Sequence, residues 1–270
     1  MRLSRLLSVL ALVVLFCASC AAPNSTQAPV ISQRAAMWIP AVKTSWQIQL
    51  SALPIAPFAF AEVYDIDGFD ASAHLVAQLH AQHIHVFCYI DVGSWENFRP
   101  DAGSFPAQLL GKTLDGYPDE RWLDIRQIAA LAPIITARMR MCKNKGFDAI
   151  DPDNVNGYEN DTGFPLTAQE QIQFNLFIAQ TAHTFGLSVG LKNDIDQIPV
   201  LLPNFDWALN EQCFEYQECS KLLPFTNAGK AVFEIEYNLK PNQFCSQANA
   251  LNFNSLYKNV SLDAFSVSCR

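Results

Sequence analysis

The octapeptide FDAIDPDN, residues 147–154, passes from an apolar run into an acidic, polar cluster. Pro152 has no amide hydrogen and forces the chain out of regular pairing, as a strand end requires. Seven other stretches have the same form: WQIQL (46–50), AEVYDID (61–67), HVFCYID (85–91), LSVGLKND (187–194), FDWALNE (205–211), AVFEIEY (231–237) and DAFSVSC (263–269). Apolar spacing predicts helices over 71–82, 127–145 and 167–185, with shorter ones at 195–203, 217–227 and 246–257. Thr167 and Glu170 form a capping box, and Gly146, Gly186 and Gly229 sit where C-terminal caps belong. Strands alternating with helices imply a parallel sheet, and eight such units fit a (β/α)8 TIM barrel. The last predicted strand ends the chain, so the eighth helix is short or absent.

At 270 residues the chain suffices for one barrel and is too short for a second sizeable domain. Half of the residues are hydrophobic and only 16% are charged, which suits a buried parallel sheet and argues against disorder. The formal charge of −8 repels nucleic acid and favours cationic ligands. HExxH, P-loop and GxGxxG motifs are missing, and no CxxC pair beyond the N-terminal apolar segment points to zinc, so no metal or cofactor is expected.

Residues 1–19 have the form of an export signal: Arg2 and Arg5, then an apolar run from Leu6 to Phe16, then small residues. Cys20 behind Ala18 and Ser19 fits a lipoprotein signal, in which a lipid on Cys20 is the one membrane contact; simple cleavage is the alternative. Residues 20–36 read as a flexible tether and 37–270 as the barrel. An exported protein, whether periplasmic, outer-membrane lipoprotein or secreted, can hold disulfides. Cys213–Cys219 and Cys245–Cys269 are the expected pairs, the second pinning the chain end to the preceding helix. Cys88 reads as a buried thiol, and Cys142 as free or as its partner.

Four strand ends deliver carboxylates to the C-terminal face: Asp67, Asp153, Glu211 and Glu236. Glycoside hydrolysis needs two, one to protonate the leaving oxygen and one to attack C1 or activate water. Asp153 and Glu211 are the candidate catalytic pair, since strands four and six face one another across a barrel mouth. Asp67 and Glu236 flank them, with Tyr89, Asp91, Asn154, Tyr158, Lys192, Asn193 and Tyr237 as further substrate-binding candidates. Asp65 and Asp151 lie one layer deeper, which leaves open the member of each pair that faces the substrate. Lys192 beside carboxylates favours an ionised nucleophile; a Schiff-base lysine is the alternative. Residues 92–126 form a long excursion on the same face. In it Trp95 and Trp122 either stack on sugars or pack the loop down. His80, His83 and His85 fall at the opposite end of the barrel, as surface residues.

The motifs WQIQLS, YDIDGFD, VFCYIDVGSWENFRPD, ERWLDIR, KGFDAIDPDNVNGYENDTGFPLT, GLSVGLKND, FDWALNEQCFEY and AGKAVFEIEY resemble glycoside hydrolase family 114, of the endo-α-1,4-polygalactosaminidase type, over residues 38–240. The resemblance implies a barrel that cuts α-1,4-linked galactosamine polymers internally, without a metal. It implies retention of configuration, with Asp153 as nucleophile, Glu211 as acid/base and Asp67 as a further acid. Asp91, where a small residue is common, and Asn156, in place of an acid, depart from the family pattern. The expected partner is a cationic amino-sugar polysaccharide bound by a monomer. A carbohydrate-binding barrel with little turnover is the competing reading.

Overall fold

Side chains alternate across each strand, so every apolar run supplies one row to the barrel interior and one to the surrounding helices. A computed structural model describes residues 37–58 and 61–270, which belong to one compact unit. The expected signal, Cys20 and the tether lie outside the described residues. The chain runs β1 (Trp46–Gln49), β2 (Val63–Asp67), α1 (Ala73–His80) and β3 (His85–Asp91), then an insert of β4 (Ser94–Glu96), β5 (Leu110–Leu114) and β6 (Tyr117–Leu123). Next come α2 (Ile128–Lys145), β7 (Ala149–Asp153), α3 (Ala168–Thr184), β8 (Ser188–Lys192), α4 (Ile198–Leu201) and β9 (Trp207–Glu211). The chain closes with α5 (Leu223–Asn227), β10 (Val232–Glu236), α6 (Pro241–Ala250), β11 (Asn254–Tyr257) and β12 (Val267–Ser268).

Eight parallel strands follow one another in the order β1-β2-β3-β7-β8-β9-β10-β11, the TIM-type order that the sequence predicts. Between β11 and β1 the described residues show no strand ladder. Trp46 Nε1 donates to the Asn254 carbonyl at 2.7 Å, Lys258 Nζ to the Ile48 carbonyl at 2.7 Å and Leu50 N to the Leu262 carbonyl at 2.9 Å, and these bonds hold the seam.

The interior row is aromatic. Phe87 and Trp207 stack with ring centroids 4.2 Å apart, and Phe233 meets them edge-on at 5.3 and 5.5 Å. Trp207 fits because residue 190 is glycine: a Cβ there would stand 2.3 Å from the indole. Gly190→Ala is therefore expected to lower stability by about 3 kcal/mol through overpacking. Denaturant unfolding checks this, and an unchanged midpoint would show that the interior can give way.

Several expectations need correction. The eighth parallel strand is Asn254–Tyr257 rather than 263–269, and α6 ends at Ala250 rather than 257. Residues 263–269 carry the partly exposed Phe265 and Val267 and contribute only β12, antiparallel to β11. No helix follows β11 among the described residues. Within the helix expected over 167–185, α3 turns Gln171, Phe174, Asn175 and Ile178 to the core and leaves the apolar Ile172 and Leu176 half-buried, because Gln171 and Asn175 reach inward to the loop after β7. Cys88 is not a free thiol. It alternates to the outer face of β3 and bonds Cys142 of α2, while Cys213–Cys219 and Cys245–Cys269 pair as expected.

The excursion is an ordered three-stranded antiparallel sheet, β4-β6-β5, rather than an irregular loop. Arg138 of α2 holds its base: Nε and Nη2 donate to Asp101 at 2.8 and 2.9 Å, and Nη1 to the Asp91 carbonyl at 2.6 Å.

Candidate active site

Three neighbouring strands end in the groups Asp153, Lys192 and Glu211. Inward-facing Ala149, Gly190 and Leu209 set the phase, so that these three also face the barrel axis. Directly after each strand the backbone turns through the left-handed region, at Asn154 (φ 59°), Asn193 (φ 55°) and Gln212 (φ 65°). Asparagine tolerates this conformation and glutamine does so at a cost, which is the kind of local strain that functional sites hold. Gly93 permits one of these turns: a Cβ there would lie 1.7 Å from the Asn154 carbonyl oxygen.

Lys192 is buried and its Nζ stands 3.4 Å from Asp153 Oδ1, 3.6 Å from Glu211 Oε2 and 3.9 Å from Asp151 Oδ2. Tyr89 donates its hydroxyl to Asp153 Oδ2 at 2.8 Å, and the Asn154 amide donates to Oδ1 at 2.9 Å. Burial raises the Asp153 pKa, but the Lys192 charge and these hydrogen bonds outweigh it and hold the carboxyl below the ordinary aspartate range. Glu211 accepts from Asn193 Nδ2 at 2.9 Å and from the Tyr237 hydroxyl. The three carboxylates around it raise the Lys192 pKa well above the ordinary value, against the effect of burial.

Beneath Lys192, Asp151 and Asp65 are fully buried and close enough for the charge of one to act on the other. Burial pushes Asp151 up to about 6, and burial with the Asp151 charge pushes Asp65 well up. These two are therefore the floor, and Asp67 and Asp153 are the members that reach the cavity.

The cavity has a volume of about 600 Å³. Of the candidate residues, Asp67, Tyr89, Asp153, Asn154, Lys192, Asn193, Glu211 and Tyr237 line it. Asp67 is tied by Arg99, whose Nη1 and Nη2 donate to its two oxygens at 3.0 and 2.6 Å. Four candidates stand elsewhere. Asp91 is fully buried and accepts from Gly93 N, Ser94 N, Ser94 Oγ and Asn154 Nδ2, so its carboxylate builds the start of the insert. Glu236 is corrected by strand phase: Phe233 and Ile235 face the barrel interior, so Glu236 faces outward and accepts from Phe214 N and Glu215 N. Trp95 packs against the outer core and gives its indole N–H to the Ala102 carbonyl at 3.0 Å. Tyr158 donates to Glu159 at 2.9 Å, outside the cavity wall.

The sequence reading missed Glu96, Arg99, Tyr117 and Glu120, all delivered by the insert. Burial and the neighbouring Glu96 charge push Glu120 up to about 7. The signal was available in part, since ENFRPD and DGYPDE put polar groups on the catalytic face, but nothing local shows which of them turn inward. Among the described residues no group of three or more His, Cys, Asp or Glu side chains is arranged to hold a metal ion.

A TIM-type barrel whose mouth converges two carboxylates on a buried lysine, inside a polar cavity, defines a carboxylate-dependent enzyme class. The family model of glycoside-hydrolase family GH114 matches residues 27–270, so the chain belongs to that family and is a glycoside hydrolase. It is similar to the crystal structure of Aspergillus fumigatus Ega3 in complex with galactosamine. The identity is 40% over 87% of this chain and 98% of that one, with a TM-score of 0.82. The glycoside hydrolase domain of PelA from Pseudomonas aeruginosa is 14% identical over 83% of this chain and 98% of that one, with a TM-score of 0.66, a likeness of fold. Among curated proteins none matches the chain in sequence.

Proposed function

We propose that the chain is an exported endo-glycosidase that cleaves cationic, α-1,4-linked galactosamine-containing polysaccharide with retention of configuration. The observation that carries this reading is the shared contact of Asp153 and Glu211 with one ammonium group. Their nearest oxygens stand about 7 Å apart at most, since both lie within 3.6 Å of Lys192 Nζ. That bound is compatible with the closer spacing, ~5–5.5 Å, used by retaining enzymes. The similarity to a galactosamine-bound protein supports the choice of sugar. Charge agrees: the cavity presents six carboxyl residues, Asp67, Asp70, Glu96, Glu120, Asp153 and Glu211, against the two cations Arg99 and Lys192. Three disulfides agree with export, because such bonds persist in oxidising compartments. The N-terminal signal and a lipid on Cys20 remain parts of this proposal, as does a monomeric enzyme.

In this reading Asp153, held ionised by Lys192 and Tyr89, attacks the anomeric carbon as Glu211 gives its proton to the leaving oxygen. A glycosyl ester forms on Asp153, and the chain with the new hydroxyl departs. Glu211, now a carboxylate, takes a proton from water, which attacks the same carbon and frees Asp153. Tyr237 and Asn193 orient Glu211 through both steps.

Residues 21–270 incubated with partially de-N-acetylated α-1,4-galactosaminan are expected to release oligomers of several sizes, read by mass spectrometry. Release of monomer alone would overturn endo action. An intact polymer that still binds would favour a binding barrel.

A further inference from the structure

A second cavity, of about 690 Å³, adjoins the first and is unused in the mechanism above. Its size is within the range of ligand sites. The two share Leu114, Tyr117, Asn154 and Asn156 along their boundary. The far walls carry Thr113 and Asp115 on the β5–β6 hairpin and Asn160 and Asp161 on the loop after β7. These walls are fixed to each other. Lys112 N donates to the Thr162 carbonyl at 2.8 Å, Lys112 Nζ meets Asp161 Oδ2 at 2.5 Å, and a Cβ at Gly111 would lie 2.1 Å from Thr162 O. Arg121 stiffens the hairpin by donating to the Leu110 and Gly111 carbonyls at 2.8 Å each.

Tyr117 stands at the boundary. It is the first residue of β6, follows Gly116 in a left-handed turn (φ 81°) and is 55% exposed. A large exposed aromatic side chain on a pinned hairpin presents a flat face at little entropic cost. Partial burial raises the Tyr117 pKa, and the charges of Glu211 and Asp153 raise it further, which places the phenol within electrostatic reach of the candidate pair.

We propose that the second cavity is a flanking subsite for further sugar units of the polymer. Tyr117 is its stacking platform at the junction, and Asn156, Asn160 and Asp115 are partners for hydroxyl and ammonium groups. This rests on the proposed glycosidase activity and adds to it the residues that set the minimum chain length. The faces of a hexose suit an aromatic ring, and an ammonium group over the ring adds cation–π attraction. Asp161 is neutralised by Lys112, so Asp115 is the uncompensated carboxylate of the hairpin wall.

The test uses α-1,4-linked galactosamine oligomers of increasing length, with kcat/KM read for each. In the wild type kcat/KM is expected to rise about tenfold once an oligomer is long enough to enter the second cavity. In Tyr117→Ala the rise flattens to less than threefold, and Tyr117→Phe, which keeps the ring, restores it. A rise that survives in Tyr117→Ala overturns the subsite while leaving the glycosidase reading intact. A rise lost equally in Tyr117→Phe overturns the stacking platform. Absence of cleavage at every length in the wild type overturns the glycosidase reading, and the subsite with it.

Discussion

Glu211→Gln and Asp153→Asn are each expected to lower kcat on the galactosamine polymer by ~10³-fold or more, since removal of a general acid alone forfeits ~10²–10⁴. The two losses differ in kind. An activated aryl glycoside carries a leaving group that needs no proton, so Glu211→Gln should recover much of its first step there, and Asp153→Asn should not. Azide separates them further. In Glu211→Ala it can occupy the site of the attacking water and give a glycosyl azide of retained configuration. In Asp153→Gly it replaces the nucleophile and gives the inverted azide. Both residues sit at strand ends with partly exposed carboxylates, so the variants should fold, and polymer binding by calorimetry checks that they do. Polymer turnover by Glu211→Gln within tenfold of the wild type would remove Glu211 from its assigned role. Exchange of the two azide configurations would exchange the roles.

Much of this arrangement was legible in the sequence because a parallel barrel writes its active face at strand ends. The transitions FDAIDPDN, LSVGLKND and FDWALNE each place a polar group at the end of a buried strand, and the two carboxylates among them meet the third group, Lys192. Glu236 shows the limit of that argument. AVFEIEY has acids at alternate positions, and one residue of phase decides whether they enter the mouth or the outer layer. The interior needs Phe233 and Ile235, so the acids go outward and Tyr237, one position on, reaches Glu211 instead. The eighth strand was hidden by the opposite problem. Asn254 and Ser255 are buried polar residues in a four-residue strand, while the apolar-looking 263–269 lies partly exposed over it. The contribution of the insert could not be read locally at all. Arg99 reaches back 32 positions to Asp67, and only the folded chain shows that pairing.

Lys192→Met is expected to move the acidic limb of the kcat/KM profile to higher pH and to lower the maximal rate by ~10²-fold or more. The sign follows from Asp153. Its pKa is held below the ordinary value, and Lys192 is the largest of the causes that hold it down. Without the ammonium group, burial prevails, the carboxyl takes up a proton at higher pH, and the anion that must attack is present only above that point. Asp151, already at about 6 with Lys192 lowering it, rises as well. Stability should follow the same direction. A depressed carboxyl contributes stability that is present above its unfolded pKa of about 3.9 and lost as pH falls through the folded value. The variant lacks that contribution and also leaves Asp151 and Asp153 without the cation between them, so its thermal midpoint should fall furthest from that of the wild type at neutral pH, and the gap should narrow as the pH falls and Asp153 is protonated. Methionine is unbranched and one atom shorter, so it fills most of the lysine's space and the difference reads mainly charge. An acidic limb that stays in place would mean that Tyr89 and the Asn154 amide suffice to hold Asp153 ionised. Retained activity at full rate would also remove any Schiff-base role for Lys192.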